Sequence, residues 1–255
     1  MTREQQSLQV IRALSAIHLS GYCGVEWRRA YTDCSTTIPC HDGTVHIASK
    51  SGIGGGDEAR LNRIYINRIP TRKHNGILLT TPARTLLDCA AFPFPQALPI
   101  YDSALRKSLT TIEEVQSLMI QSVCDEVSVT KLLKYADPLS ENGGESLMRG
   151  QITELSFGIP LLQVQFMNPD NPAMSYRVDF CWKLADGRII VAEYDGMAKY
   201  ADISNKNRAS LQAKMEYDRR RDRHLREQGV TEIVHVFYED LLRPINLETK
   251  LLKAV

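Results

Sequence analysis

Along residues 176–195 apolar and polar positions alternate at the period of a β-strand, and acids interrupt the pattern. Side chains two apart in a strand point the same way. Val178, Phe180 and Trp182 are therefore expected on one face of one run, and Ile190, Ala192 and Tyr194 on one face of the next. The turn Ala185-Asp186-Gly187 parts the two runs, so strands are expected over 176–183 and 188–195, joined as a hairpin. Asp179 then lies on the face away from its apolar neighbours. Glu193 and Asp195 share a face, about 7 Å apart along the strand. Further strands are expected over 160–167 and at "EIVHVFY".

Helical spacing governs much of the rest. Leu8, Ile11, Leu14 and Ile17 follow a 3.6-residue period over residues 4–17. "TTPARTLLDCAA" offers Thr81 as N-cap and Pro82 at the first helical position. Helices follow in "PQALPIYDSALRKS", "TTIEEVQSLMIQSV" and "SVTKLLKYA", the second opening on a threonine with glutamate three residues on. Between 20 and 75 lie the strand-like runs "TVHIAS" and "RIYINRI", around "SGIGGGDEAR". That segment lacks the GK[ST] ending of a phosphate loop, and it reads as a hairpin connection. The polar stretch "DPLSENGG" (137–144) marks a boundary. Beyond it come a helix over 145–156, three strands, a charged helix over 207–228, a strand and a last helix. The fold class is therefore α/β: a mixed, largely helical α+β region over 1–136, then a compact α-β-β-β-α-β domain over 143–255.

Composition changes this picture little. With 255 residues, 43% of them hydrophobic, the chain can bury a real core. A net charge of +1 makes any basic surface local. No apolar run reaches membrane-spanning length, and "MTREQQSLQV" has no signal-peptide core; the expectation is a cytoplasmic protein with no membrane partner. The six cysteines include no CxxC pair. Cys34-x5-Cys40-His41 is the one loosely zinc-like spacing, so reduced thiols are expected.

The acids carry the candidate chemistry. Asp179, Glu193 and Asp195 can converge at one end of the hairpin, where like charges repel unless a cation binds. Mg²⁺ suits such a cluster, since it takes one or two carboxylates with waters and phosphate oxygens; a solvated acidic edge is the alternative. Glu145 stacks with Met148 and Ile152 on the inward stripe of its helix, although Asn142-x-x-Glu145 equally fits a capping box. On the long helix Leu211, Met215, Asp218, Asp222 and Leu225 form one stripe. From Lys206 to Glu227 eight Lys/Arg stand against four Asp/Glu. A basic face beside an acidic pocket suits a phosphodiester substrate, and a solvated salt-bridged face is the alternative.

These residues also carry a resemblance. "GESLMRGQITELSFGIPLLQVQF…YRVDFCW…RIIVAEYDGMAKY…KMEYDRRRDRHLREQGVTEIVHVFYEDL" resembles the C-terminal domain of bacterial proteins allied to very-short-patch-repair endonucleases, in the PD-(D/E)XK nuclease superfamily. "GILLTTPARTLLDCAA" and "YDSALRKSLT" resemble AbiEi-type antitoxins of type IV toxin–antitoxin systems, though without a clear recognition-helix pair. The resemblance implies a restriction-endonuclease-like fold with a central mixed sheet and Mg²⁺- or Mn²⁺-dependent cleavage of DNA. It implies Asp179, Glu193 and Asp195 as metal ligands, with Glu145 in support. Arg219, Arg220 and Arg223 would meet phosphates, and Asp218 and Arg221 would orient the site. The superfamily's third motif ends in lysine where this chain has Asp195, which leaves Lys199 or Lys214 as displaced candidates. The alternative it implies is a non-catalytic, antitoxin-like regulator binding DNA, a cognate toxin or another protein. A domain that keeps the fold without the activity is a third.

Overall fold

A computed structural model describes residues 45–49, 61–65, 70–74, 77–196 and 208–254. Met1–Pro138 and Leu139–Val255 form two compact units, and the division falls inside the polar stretch expected as a boundary. In the first unit β1 (Val45–Ser49) and β2 (Leu61–Tyr65) pair in parallel, while β3 (Thr71–His74) and β4 (Ile77–Thr80) pair antiparallel. A hairpin cannot join parallel strands, which corrects the expected role of the glycine-rich segment between β1 and β2. The residues of that segment lie outside the described ones, as do the helix expected over 4–17 and Cys23, Cys34 and Cys40.

Four helices complete the described part of this unit: α1 (Pro82–Cys89), α2 (Phe94–Arg106), α3 (Ile112–Ile120) and α4 (Glu126–Tyr135). Their starts follow local chemistry. Thr81 Oγ1 accepts the Arg84 N–H ahead of Pro82, and Thr111 with Glu114 closes a full capping box on α3. Leu86, Leu98, Tyr101, Val115 and Leu132 are fully enclosed in one core, each such side chain contributing roughly 1.5–3 kcal/mol of burial.

The second unit is α5 (Gly143–Glu154), β5 (Leu161–Phe166), β6 (Tyr176–Lys183), β7 (Ile189–Gly196), α6 (Arg208–Glu227), β8 (Val230–Phe237), α7 (Tyr238–Leu241) and α8 (Pro244–Leu252). Where one last helix was expected, two short ones stand. The sheet order is β5-β6-β7-β8, with β7 and β8 parallel and the other pairs antiparallel; the sheet is mixed. At the β6–β7 turn Gly187 takes φ +90°, a left-handed conformation open to glycine, and donates to Leu184 O at 3.0 Å.

Helices cover both faces of this sheet. Met148, Ile152, Phe180, Ile190, Val236 and Leu247 form the core under α5, α7 and α8, and Val178, Cys181, Val191, Leu225 and Val230 form the core under α6. Ile190, Ala192 and Tyr194 share a core, as alternation requires. Val178 does not join Phe180 and Trp182, which corrects the single face expected for those three. The register runs from Leu162↔Phe180 to Val164↔Val178, with no partner between Gln163 and Asp179. Gln163 takes φ 52° at this break in the ladder.

Candidate active site

Asp179 sits where the regular β6–β7 ladder stops. The last rung is Phe180↔Ala192, and beyond it Asp179 Oδ2 accepts the Tyr194 N–H at 2.8 Å. A side chain thus takes over from the backbone ladder. Burial raises the Asp179 carboxyl above the ordinary carboxylate range, against the pull of that bond and of Gln163.

Glu193 follows on β7, 9% exposed, and its carboxylate pairs with the Arg221 guanidinium from α6. The same guanidinium donates to Arg177 O at 2.9 Å, which fixes its plane over the sheet. Burial pushes the Glu193 carboxyl up to about 7; Arg221 opposes the rise and the charge of Asp179 adds to it. A half-buried and a buried acid thus stand within electrostatic reach of each other, and the guanidinium pairs with Glu193.

Glu145 is 4% exposed at the start of α5. Its Oε2 accepts the Glu141 N–H at 2.7 Å, while Asn142 Oδ1 accepts the N–H groups of Gly144 and Glu145. Glu145 does cap backbone here, but it takes the N–H of Glu141 instead of that of the N-cap Asn142, so the expected capping box is not closed. Glu145 is nevertheless tied to the acids, because Gln163 Nε2 lies 3.2 Å from Glu145 Oε2 and 3.5 Å from Asp179 Oδ1. Sequence reading missed Gln163. A left-handed backbone at a non-glycine residue costs about 1–3 kcal/mol, and nothing in "LLQVQF" announces it.

Asp195 does not join Asp179 and Glu193. Its Oδ2 meets His235 Nδ1 at 2.8 Å, and His235 Nε2 lies 3.8 Å from Asp222 Oδ2. The physical reason is the parallel β7–β8 pairing, which sets His235 in register with Glu193 and offers Asp195 a closer partner than the acids. The hydrogen bond to the Asp195 carboxylate raises the His235 imidazole above its ordinary value. His235 also escaped sequence reading, since one histidine in an apolar strand carries no spacing signal. Among the described residues no group of three or more His, Cys, Asp or Glu side chains is disposed to hold a metal ion. Of the three expected ligands, Asp179 and Glu193 remain on adjacent strands, and Mg²⁺ takes one or two carboxylates alongside water and phosphate oxygens.

The remaining expected residues stand on α6. Arg221 meets the site. Asp218 is half-buried, Arg219 and Arg223 are exposed, and Arg220 faces Asp170 at 3.4 Å across a solvated gap. Lys199 lies outside the described residues, and so does the side chain of Lys214, whose backbone belongs to α6. Cys181 is a buried free thiol and Cys124 a half-buried one, and Cys89 is buried. Among the described residues no helix is long and apolar enough to cross a membrane.

No family model matches the chain, and no solved structure does. Two curated relatives match, both uncharacterized Mycobacterium tuberculosis proteins, from strains CDC 1551 and H37Rv. Each is 30% identical over 172 residues, which is 66% of this chain and 58% of the relative. The chain thus aligns with a little over half the length of the curated relatives it matches, and their names assign no activity.

Proposed function

We propose that the C-terminal unit is a restriction-endonuclease-like domain that hydrolyses phosphodiester bonds in DNA with a divalent cation. The observation that carries this reading is the pair of half-buried Asp179 and buried Glu193 on neighbouring strands, both raised, with the Arg221 guanidinium on Glu193. Neighbouring acids whose carboxyls are raised by burial suit a hard cation, which favours their charged forms. Mg²⁺ or Mn²⁺ held by Asp179 and Glu193 would supply Lewis-acid neutralisation of a phosphoryl oxygen and polarise water. Arg221 orients Glu193, and Gln163 links Asp179 to Glu145. Arg221 and His235 both lower the Glu193 carboxyl electrostatically; they provide positive charge near the acids, where the resemblance looked for a lysine.

The test is cleavage of single-stranded, duplex and mismatched DNA with Mg²⁺ or Mn²⁺. Cleavage is expected to vanish with EDTA and to fall at least about a hundredfold in Glu193→Gln, roughly 2.7 kcal/mol of barrier. DNA affinity is expected to survive or rise in that variant. A second reading is favoured by Asp195, which is engaged with His235 and stands at the lysine position: an antitoxin-like regulator that binds DNA or a toxin without cutting. Binding with no metal-dependent cleavage on any substrate decides for it.

A further inference from the structure

The outward end of a row of rings lies one helical turn from the acid pair. Tyr176, 4% exposed at the start of β6, donates or accepts through its hydroxyl to His224 Nδ1 at 3.0 Å. The two rings lie 5.9 Å apart, tilted by 33°. On its other side Tyr176 meets Tyr217 edge to face, with centroids 6.4 Å apart. Tyr217 is 48% exposed, so an aromatic side chain braced from behind ends in solvent. Four residues along α6, about 6 Å of helix rise, Arg221 holds Glu193. Beside Tyr217, three residues on, Arg220 spends its charge on a solvated contact with Asp170. The exposed positions of the helix from Glu216 onward carry Arg219, Arg220, Arg223 and Arg226 against Glu216 and Glu227.

A free aromatic face among exposed guanidinium groups recognises one kind of ligand well: an unpaired base attached to a phosphate backbone. Base–aromatic stacking is worth about 1–3 kcal/mol per base, and every base offers a π-face. In a duplex those faces are already stacked. A ring fixed before binding loses little freedom when the base arrives. We infer that Tyr217 is a stacking platform for an unpaired nucleotide, and that the acid pair takes its DNA as a single strand or an unpaired segment. This inference rests on the proposed function for the identity of the substrate and goes beyond it in naming the strand form and the residue that selects it.

The test is fluorescence anisotropy of the full chain with a labelled oligothymidine and with its duplex, in EDTA so that cleavage plays no part. Tyr217→Leu keeps an apolar side chain without a π-face, and Tyr217→Phe keeps the ring. Leucine is expected to weaken single-strand binding at least about fivefold, the lower end of one stacking contact. Phenylalanine stays within about twofold of the wild type, and duplex binding moves by less than twofold in either variant. Asp170→Asn, which releases Arg220, is expected to raise affinity for both forms. If the wild type binds DNA and Tyr217→Leu leaves single-strand affinity unchanged, or weakens both forms alike, the stacking role is overturned and the nuclease reading stands. If the wild type binds neither form, the DNA reading itself fails and takes this inference with it.

Discussion

At the scale of single residues, Asp179 and Glu193 do different work. Asp179 has a structural duty, since its carboxylate accepts the Tyr194 N–H where the ladder stops. Asp179→Asn keeps an acceptor and removes a half-buried carboxylate whose charge burial disfavours, so urea unfolding is expected to show equal or greater stability. Asp179→Ala leaves the N–H without its partner and is expected to cost about 1–3 kcal/mol. Equal midpoints for the two variants would show that this bond contributes nothing. Glu193 sets a pH dependence. Its carboxyl rises from an ordinary 4.5 to about 7 on folding, so between those values the folded chain binds more protons than the unfolded one. Its contribution to stability is fully present below about 4.5 and is lost as pH rises through about 7. His235 is also raised and acts in the same direction from its ordinary 6.5 upward. The wild-type melting temperature should therefore fall across that window relative to Glu193→Gln, in which His235 remains. Parallel curves for the two proteins would remove burial of Glu193 as the cause.

At the scale of elements, the site is held by one close approach. The Tyr194 ring presses on the start of α5, and a Cβ on Gly144 would fall inside its van der Waals contact. Only a bare Cα lets α5 lie near enough to β7 for Glu145 to reach Gln163. Gly144→Ala is expected to cost about 1–3 kcal/mol as an overpacked contact and to lower cleavage with it. Full stability in that variant would mean that Tyr194 swings away freely. The sequence made these elements legible because their signals are local: the turn at Asp186-Gly187, the cap at Thr81, the stripe through Met148 and Ile152. Alternation in β7 placed Glu193 correctly on the face away from Ile190 and Ala192. The turnover of β6 was not legible, because it falls at a break in the pairing with another strand, beside Gln163, that nothing local in β6 announces. Nor was the pairing of Asp195 with His235, residues forty positions apart brought together by a parallel crossover. The parallel β1–β2 pair was hidden for the same reason, since a glycine-rich connection looks alike whether the chain reverses or crosses over.

At the scale of the whole molecule, the candidate site lies within one of the two units. Leu139–Val255 contains Asp179, Glu193, Arg221, His235 and the arginines of α6, together with a sheet covered by apolar cores on both faces. A unit with its own enclosed core meets the condition for folding alone. The fragment 139–255 is therefore expected to unfold in one cooperative transition and to keep the pH dependence set by Glu193. It also separates the two functional readings. A nuclease whose phosphate contacts lie on α6 keeps most of its DNA affinity and all of its metal-dependent cutting in that fragment. A regulator that reads DNA through the region resembling AbiEi-type antitoxins loses its affinity when residues 1–138 are removed. Anisotropy and cleavage measured side by side on the fragment and the full chain compare these outcomes directly. Affinity that departs with Met1–Pro138 while the fragment still melts cooperatively would leave Asp179 and Glu193 as an acidic pair of a binding protein. Arg221 would then be the counter-ion of Glu193, and no cation would be needed.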